Sequence, residues 1–585
     1  MEKRLRLNSP HHRLRNSLIT LLILVITGCS VQLPAQPGDL GKIFPYIQPS
    51  YTPFQPVTAT PLPTLTSTPT LPPTQTPEPA RELSIWLDPS LPPGLRDAVH
   101  LPDDAFLAAN ADTAALIVGA VRGGPPMQSS WVYALVAPFP TLVDDVSLAE
   151  VQAAWRGEAS PNFDSQPLIM SASTRAAFTA LWGPAADSGT QVVDQGSLLD
   201  TAWSNQPSWA IIPFEEIEPR WKVLRVDGVS PMDREFDIQS YPLAVQFGVS
   251  GNQNTLDKLE FALGSEPGLF PSSNRDPDKL TVLVMTGVTA LARATAAKMD
   301  LHGPAYPASD IHNWLYNADI THISNEVSFN PDCPLADPMS TSMMFCSRPE
   351  YIELLDYIGT DIVELSGNHN NDWGREYSTY TLELYKERGW PVFAGGANLE
   401  EAAKPAFIEH NGQRLVFLGC NRVGPTQAFA TETEPGALPC DMDTMAATVR
   451  DLRAQGYLPV VTFQYNEYYI YGPGEEQQRD FRAMAEAGAV IVSGSQAHFP
   501  QTVEFDNGAF IHYGLGNLFF DQMDIPVVGT RQEFIDRHVF YNGRYLGVEL
   551  LTAMLEDYAR PRPMTLDERR DLLTNIFQAA AKWLK

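Results

Sequence analysis

The sequence predicts an α/β chain: a layered α/β sandwich in the C-terminal half, preceded by a smaller α/β region. Three observations lead there. Six apolar runs between residues 280 and 517 stop abruptly in clusters of Gly, Asn, His or carboxylate. Amphipathic helix patterns lie between those runs, the alternation of an α/β layer. The 585 residues are 44% hydrophobic, which is enough for more than one core. With 69 acidic against 40 basic residues the formal charge is −29, which argues against a nucleic-acid partner, since phosphate binding needs clustered Lys and Arg.

Residues 1–28 read as a leader. Lys3, Arg4, Arg6, Arg13 and Arg15 precede the apolar run Leu18 to Ile26, which is too short for a comfortable membrane span. The run closes on Ile26-Thr27-Gly28-Cys29, which resembles a bacterial lipobox, and that resemblance implies a lipid-modified Cys29 after cleavage. The expected location is the extracytoplasmic face of a cell membrane, with Cys29 as the anchor. Cleavage would remove five positive charges and one negative, leaving −33 on the mature chain. Residues 29–80 are the expected stalk, since ten prolines and nine threonines fall within residues 49–79 with Glu78 as the sole charge. Such a segment cannot bury a core and favours extended polyproline II.

Residues 81–265 form the first globular region. Leu83 to Leu87, Trp131 to Ala137, Gln191 to Val193 and Ser208 to Phe214 read as strands. Ser147 and Glu150 have the spacing of a capping box for a helix that ends near Trp155-Arg156-Gly157. The run from Val132 to Gly157 is similar to periplasmic solute-binding proteins of the phosphate-binding type, without a clear anion-cradling cluster of Ser, Thr and Gly. A spacer or docking region without a ligand is the other reading.

Residues 279–560 form the second region, and 561–585 a C-terminal helix. Its runs are Leu280 to Met285, Asp319 to Ile323, Asp361 to Leu365, Leu458 to Thr462, Ala489 to Val492 and Phe510 to Tyr513. Buried strands whose carboxyl ends all carry polar groups describe a site at one edge of an α/β sheet. Helices are expected over Glu376–Gly389, Met442–Gly456 and Glu475–Gly488, with Tyr377, Tyr380, Leu384 and Tyr385 as the packed face of the first. His322 and His512, inside apolar runs, are expected to be satisfied core histidines.

The polar clusters resemble those of the CapA family of bacterial poly-γ-glutamate capsule synthesis proteins, a branch of the calcineurin-like metallophosphoesterases. The matching stretches are Asp319 to Glu326, Gly367-Asn368-His369-Asn370-Asn371-Asp372-Trp373-Gly374, Phe393 to Asn398 with Glu401 and Pro405, and Tyr513-Gly514-Leu515-Gly516-Asn517. The resemblance implies a metallophosphoesterase-like sandwich. It assigns Glu326, Asn368 and His498 as metal ligands and His369, Asp372 and Glu467 as catalytic groups. It makes Arg293, Asn325, Gln496 and Tyr468 binding residues. Three family ligands are replaced: Val288 stands for an Asp, Gln496 for a His, and Phe463 or Gln464 for another His. The expected cofactor is therefore a single weakly held Mn or Zn, or none. The expected role is in capsule or envelope-polymer synthesis or attachment, as a metal-dependent hydrolase or as a non-catalytic scaffold for an anionic polymer. Setting Cys29 aside, four cysteines allow three pairings, and the local pairs Cys333–Cys346 and Cys420–Cys440 are expected.

Overall fold

The structure, a computed structural model, describes residues 83–122, 127–163, 166–264 and 268–583. The leader, Cys29 and the Pro/Thr-rich segment lie outside the described residues. Residues 81–585 form one compact unit.

The first region is built on a nine-stranded mixed sheet. Its strands are β1 (Leu83–Leu87), β2 (Ala105–Leu107), β3 (Leu116–Ala120), β4 (Gln128–Pro138), β5 (Leu168–Met170), β6 (Thr190–Val192), β7 (Trp209–Pro213), β8 (Trp221–Val223) and β9 (Ala244–Gly251). Their order is β2-β1-β3-β9-β4-β7-β5-β6, with β8 also on β4. β4 is buried along nearly its whole length, as a central strand covered on both faces must be. Helix α1 (Leu148–Trp155) starts at the expected capping box: the Ser147 hydroxyl accepts from the Glu150 N–H, and the Glu150 carboxylate accepts from the Ser147 N–H.

The second region is a four-layer sandwich. Its first sheet holds β10 (Leu280–Thr286), β11 (Val288–Thr289), β12 (Ile320–Asn325), β13 (Ile362–Glu364) and β14 (Val392–Phe393). The second holds β15 (Ala406–His410), β16 (Gln413–Asn421), β17 (Leu458–Gln464), β18 (Ile491–Ser495), β19 (Val503–Asp506) and β20 (Ala509–His512), in the order β15-β16-β17-β18-β20-β19. The chain then returns to the first sheet with β21 (Asn517–Phe519), β22 (Gln532–Tyr541), β23 (Arg544–Glu556) and β24 (Arg560–Pro563). That sheet runs β14-β13-β12-β10-β22-β23-β24, and β11 bridges β12 and β21.

Period-two alternation assigns the layers. On β16, Leu415 and Phe417 face the first sheet together with Leu283, Phe393 and Phe534. Val416 and Leu418 face the outer helices α6 (Met442–Ala454) and α7 (Glu475–Ala487), where Val449, Leu452, Phe481 and Met484 pack. On the far side of the first sheet lie α4 (Arg293–His302) and α5 (Arg375–Arg388), numbered after α2 (Ala172–Trp182) and α3 (Gln253–Leu263) of the first region. The C-terminal helix α8 runs Leu566–Ala579. Gly389 and Gly488 end α5 and α7 in left-handed conformation, as a C-terminal cap requires.

The expected packed face of α5 holds at Tyr385, which is buried, and at Tyr380 and Leu384, which pack partly buried against the same core. Tyr377 departs from it and points outward to hydrogen-bond Asp332. Ser378 and Thr381 are buried beside that face, their hydroxyls bonding neighbouring loops at Asn370 O and at the backbone of Phe329. His512 is satisfied as expected, by Asp536 (2.6 Å) and Gln501 O (3.1 Å). His322 differs: its Nε2 lies 3.3 Å from a Glu364 oxygen, yet neither ring nitrogen makes a hydrogen bond. Both expected disulfides are present, Cys333–Cys346 and Cys420–Cys440.

Candidate functional site

Parallel strands β10, β12 and β13 of one sheet and β16, β17 and β18 of the other end at the same edge of the sandwich, and the polar clusters gather there. Two glycines allow the close approach. A Cβ on Gly287 would lie 2.1 Å from Gly516 O, so the turn after β10 can touch the loop before β21 only as glycine. A Cβ on Gly367 would lie 2.3 Å from the Glu326 Cβ, so Glu326 is seated directly against the loop after β13.

Along β12 the side chains alternate. The Ser324 hydroxyl meets Ser495 across the two sheets at 3.1 Å. Asn325 points to the opposite face, where its amide donates to Val327 O and to the Tyr385 hydroxyl, both at 2.8 Å. Asn325 thus holds a loop to α5. Glu326 is 1% exposed, and neither carboxylate oxygen has a hydrogen-bond donor.

Gln464, at the end of β17, donates through its Nε2 to Asn368 Oδ1 (3.0 Å) and to Gln496 Oε1, leaving its own Oε1 buried without a donor. Gln496 and His498 both have positive φ (76° and 50°), which costs non-glycine residues on the order of 1 kcal/mol each. His498 Nδ1 pairs with Asn517 Oδ1 at 2.8 Å, and its ring lies 5.2 Å from Phe520.

His369 Nδ1 pairs with Asp372 Oδ2 at 2.7 Å, and the same carboxylate oxygen accepts from the Phe345 N–H at 2.8 Å. Burial works to lower the imidazole pKa. The Asp372 hydrogen bond and the charges of Glu326 and Asp372 outweigh it and hold the pKa above the ordinary histidine value. Arg293, also at positive φ (47°), is paired with Asp521, and its guanidinium lies 4.9 Å from the rings of both Phe345 and Phe520.

The remaining expected residues, Glu467 and Tyr468, bond within their own loop. Glu467 is exposed and accepts from the Tyr469 hydroxyl within its own loop. The Tyr468 hydroxyl accepts from Asn466 at 3.2 Å. Three partners lie outside the expected set: Asp521, Phe345 and Phe520. Asp521 carries a readable signal, a carboxylate directly after the apolar run Leu518-Phe519-Phe520.

Residues 282–522 match the family described as bacterial capsule synthesis protein PGA_cap. The capsule biosynthesis protein CapA of Bacillus anthracis is 25% identical over 328 residues, 54% of this chain and 78% of that protein. Over residues 282–522 the chain is similar to the CapA family. The 5′-nucleotidase precursor of Thermus thermophilus is 13% identical, with 52% of this chain and 59% of that chain covered at a TM-score of 0.29. A phosphate-transporter substrate-binding protein of Clostridium perfringens is 16% identical over 32% of this chain and 93% of its own, at a TM-score of 0.24.

The donor set of this region does not fit a two-metal centre. Such a centre needs several anionic or imidazole ligands around two ions. Among the described residues no group of three or more His, Cys, Asp and Glu side chains could hold a metal ion. Val288, whose side chain cannot coordinate an ion, is wholly buried. Asn368 Oδ1 and Gln496 Oε1, two of the neutral oxygens that could turn to an ion, are both taken by Gln464. What the site offers is a buried cluster of polar groups with paired charges (Arg293–Asp521 and His369–Asp372), one carboxylate without a hydrogen-bond donor and an amide network.

Proposed function

We propose that this chain serves the biosynthesis of capsule or of a related envelope polymer such as poly-γ-glutamate, by holding the polymer and not by hydrolysing it. In this reading it is a lipoprotein, anchored through Cys29 on the extracytoplasmic face, and the Pro/Thr-rich segment spaces the globular unit from the membrane. The CapA-family match supports the process. The amide network of Gln464 with Asn368 and Gln496 carries the choice of holding over hydrolysis, because neutral amides bonded to one another replace the groups that would activate a water. The metal-dependent hydrolase is the competing reading, and the unpaired Glu326 carboxylate is the observation in its favour.

The test uses the mature chain purified without chelators. Poly-γ-glutamate should be retained with its length unchanged, and metal content should be well below one ion per chain. Shortening of the polymer by added Mn or Zn, abolished in Glu326→Gln, would overturn the holding function in favour of hydrolysis.

A further inference from the structure

Glu326 is what remains when the charges of the cleft are paired off. Arg293 is matched by Asp521, and His369 by Asp372. Glu326 is left with one negative charge, buried, and with no donor to either oxygen. An unpaired buried carboxylate is costly to keep ionised unless a cation or donor meets it. One residue along the chain from the Gly367 that Glu326 packs against, Asn368 receives the Gln464 amide, and the Gln464 Oε1 is also buried without a donor. The cleft therefore presents three acceptor atoms without donors and a charge of minus one. The Arg293 Nε–H also lacks an acceptor, but its guanidinium charge is already spent on Asp521. A primary ammonium group is the complement of the acceptors: three N–H donors, no acceptor, a charge of plus one. A divalent ion would leave a positive excess and asks for more oxygen ligands than these.

We infer that this cleft binds a protonated primary amine, seated between the Glu326 carboxylate and the Gln464 amide oxygen. Gly367 leaves room for the carboxylate beside the loop, since any Cβ there would displace it. The identity of the amine's carrier rests on the proposed function. A γ-linked glutamate chain is anionic along its length and carries one such group, at its amino end. A strongly acidic protein can then hold an acidic polymer by its single cationic terminus, without a basic patch.

The experiment is calorimetric binding of γ-glutamyl-glutamate, and of its N-acetylated form, to the mature chain near pH 7. The free amine should bind at least tenfold more tightly than the acetylated form. Glu326→Gln should erase the difference, with an unchanged or raised melting temperature because a buried unpaired charge is removed. If Glu326→Gln fails to fold, Gln464→Met, which removes one acceptor at similar volume, should weaken the free form and not the acetylated one. Equal binding of the two forms overturns the inference, as does equal competition by K+, or stoichiometric Mn2+ binding that needs Glu326. Polymer bound equally with its amino end free or capped would sink the amine site and leave the holding function standing. Amine bound by a chain that ignores the polymer would do the reverse.

Discussion

At the scale of single residues the cleft is defined by which charges have partners. His369 is the informative one, because its imidazole is buried and still has a raised pKa through Asp372 and Glu326. A raised folded-state value means that the folded chain holds the proton more tightly than the unfolded chain. The stabilisation is complete below the unfolded value near 6.5 and is lost as pH rises through the folded value. Asp372→Asn removes the hydrogen-bonded carboxylate and should lower the His369 pKa, measurable by NMR titration of the ring. The stability difference between wild type and Asp372→Asn, from urea unfolding at pH 5 to 9, should be largest at the acid end and shrink toward the alkaline end. A difference that is flat across that range would show that the pair is structural and indifferent to the proton. Glu326 lies at the other extreme, with no hydrogen-bond donor in the folded chain, and no residue pattern signals that state. A carboxylate at the end of an apolar run is visible in the sequence, whereas the lack of a donor depends on side chains from three other loops.

At the scale of elements, the parallel strands were legible because both faces of each sheet are covered, so the strands read as unbroken apolar runs. Helices α5 and α7 were legible by period and by Gly389 and Gly488. The face of α5 was legible at Tyr380, Leu384 and Tyr385, and its extension to Ser378 and Thr381 was not, because hydrophobicity gives small hydroxyl residues no weight. Glu467 was expected from residue type alone, and its pairing with Tyr469 in its own loop is a detail that the loop path decides. The left-handed backbone of Gln496 left no sign either, since glutamine does not favour positive φ. The disulfide loop from Cys333 to Cys346 is the element that covers the cleft: it exposes Leu335, Met339, Met343 and Met344, and inserts Phe345 beside Arg293 and His369. With so little of its own surface buried, the loop depends on the bridge and on Phe345. Replacing both Cys333 and Cys346 by Ser should cost about 2–3 kcal/mol in chemical denaturation, the expectation for a loop of this size. Amide exchange should quicken between residues 334 and 345 and not on β12 or β13. Unchanged exchange in the loop would show that Phe345 alone suffices.

At the scale of the whole molecule, the first region and the C-terminal half share an apolar core and a set of charges that reaches across from one to the other. Asp144, just before α1, receives a two-point contact from Arg569 of α8 (2.6 and 2.9 Å) and a third from Lys222 (2.7 Å). Arg569 also donates to Leu550 O on β23, so one side chain fastens the C-terminal helix to both regions. Beside it Arg225 reaches Asp233 and Glu549, and Arg537 bonds Glu549 from β22. Burial works to raise the Asp144 pKa, and the Arg569 and Lys222 contacts override it and hold the carboxyl well below its usual range. A depressed carboxylate contributes stability that is present above the unfolded value of about 3.9 and is lost only as pH falls through the folded value. Arg569→Met keeps the side-chain volume and removes the contacts. It should lower stability by about 1–2 kcal/mol, a modest figure because Asp144 remains partly open to solvent. That deficit should stay constant from pH 7 to about pH 4 and narrow only below, as the carboxylate takes up its proton. Calorimetric unfolding of both proteins across that range tests it. A deficit that fades already between pH 7 and 5 would place the coupling between the regions on groups other than Asp144. The melting transition should stay single, because α8 still packs on the first region through Phe577 against Phe139.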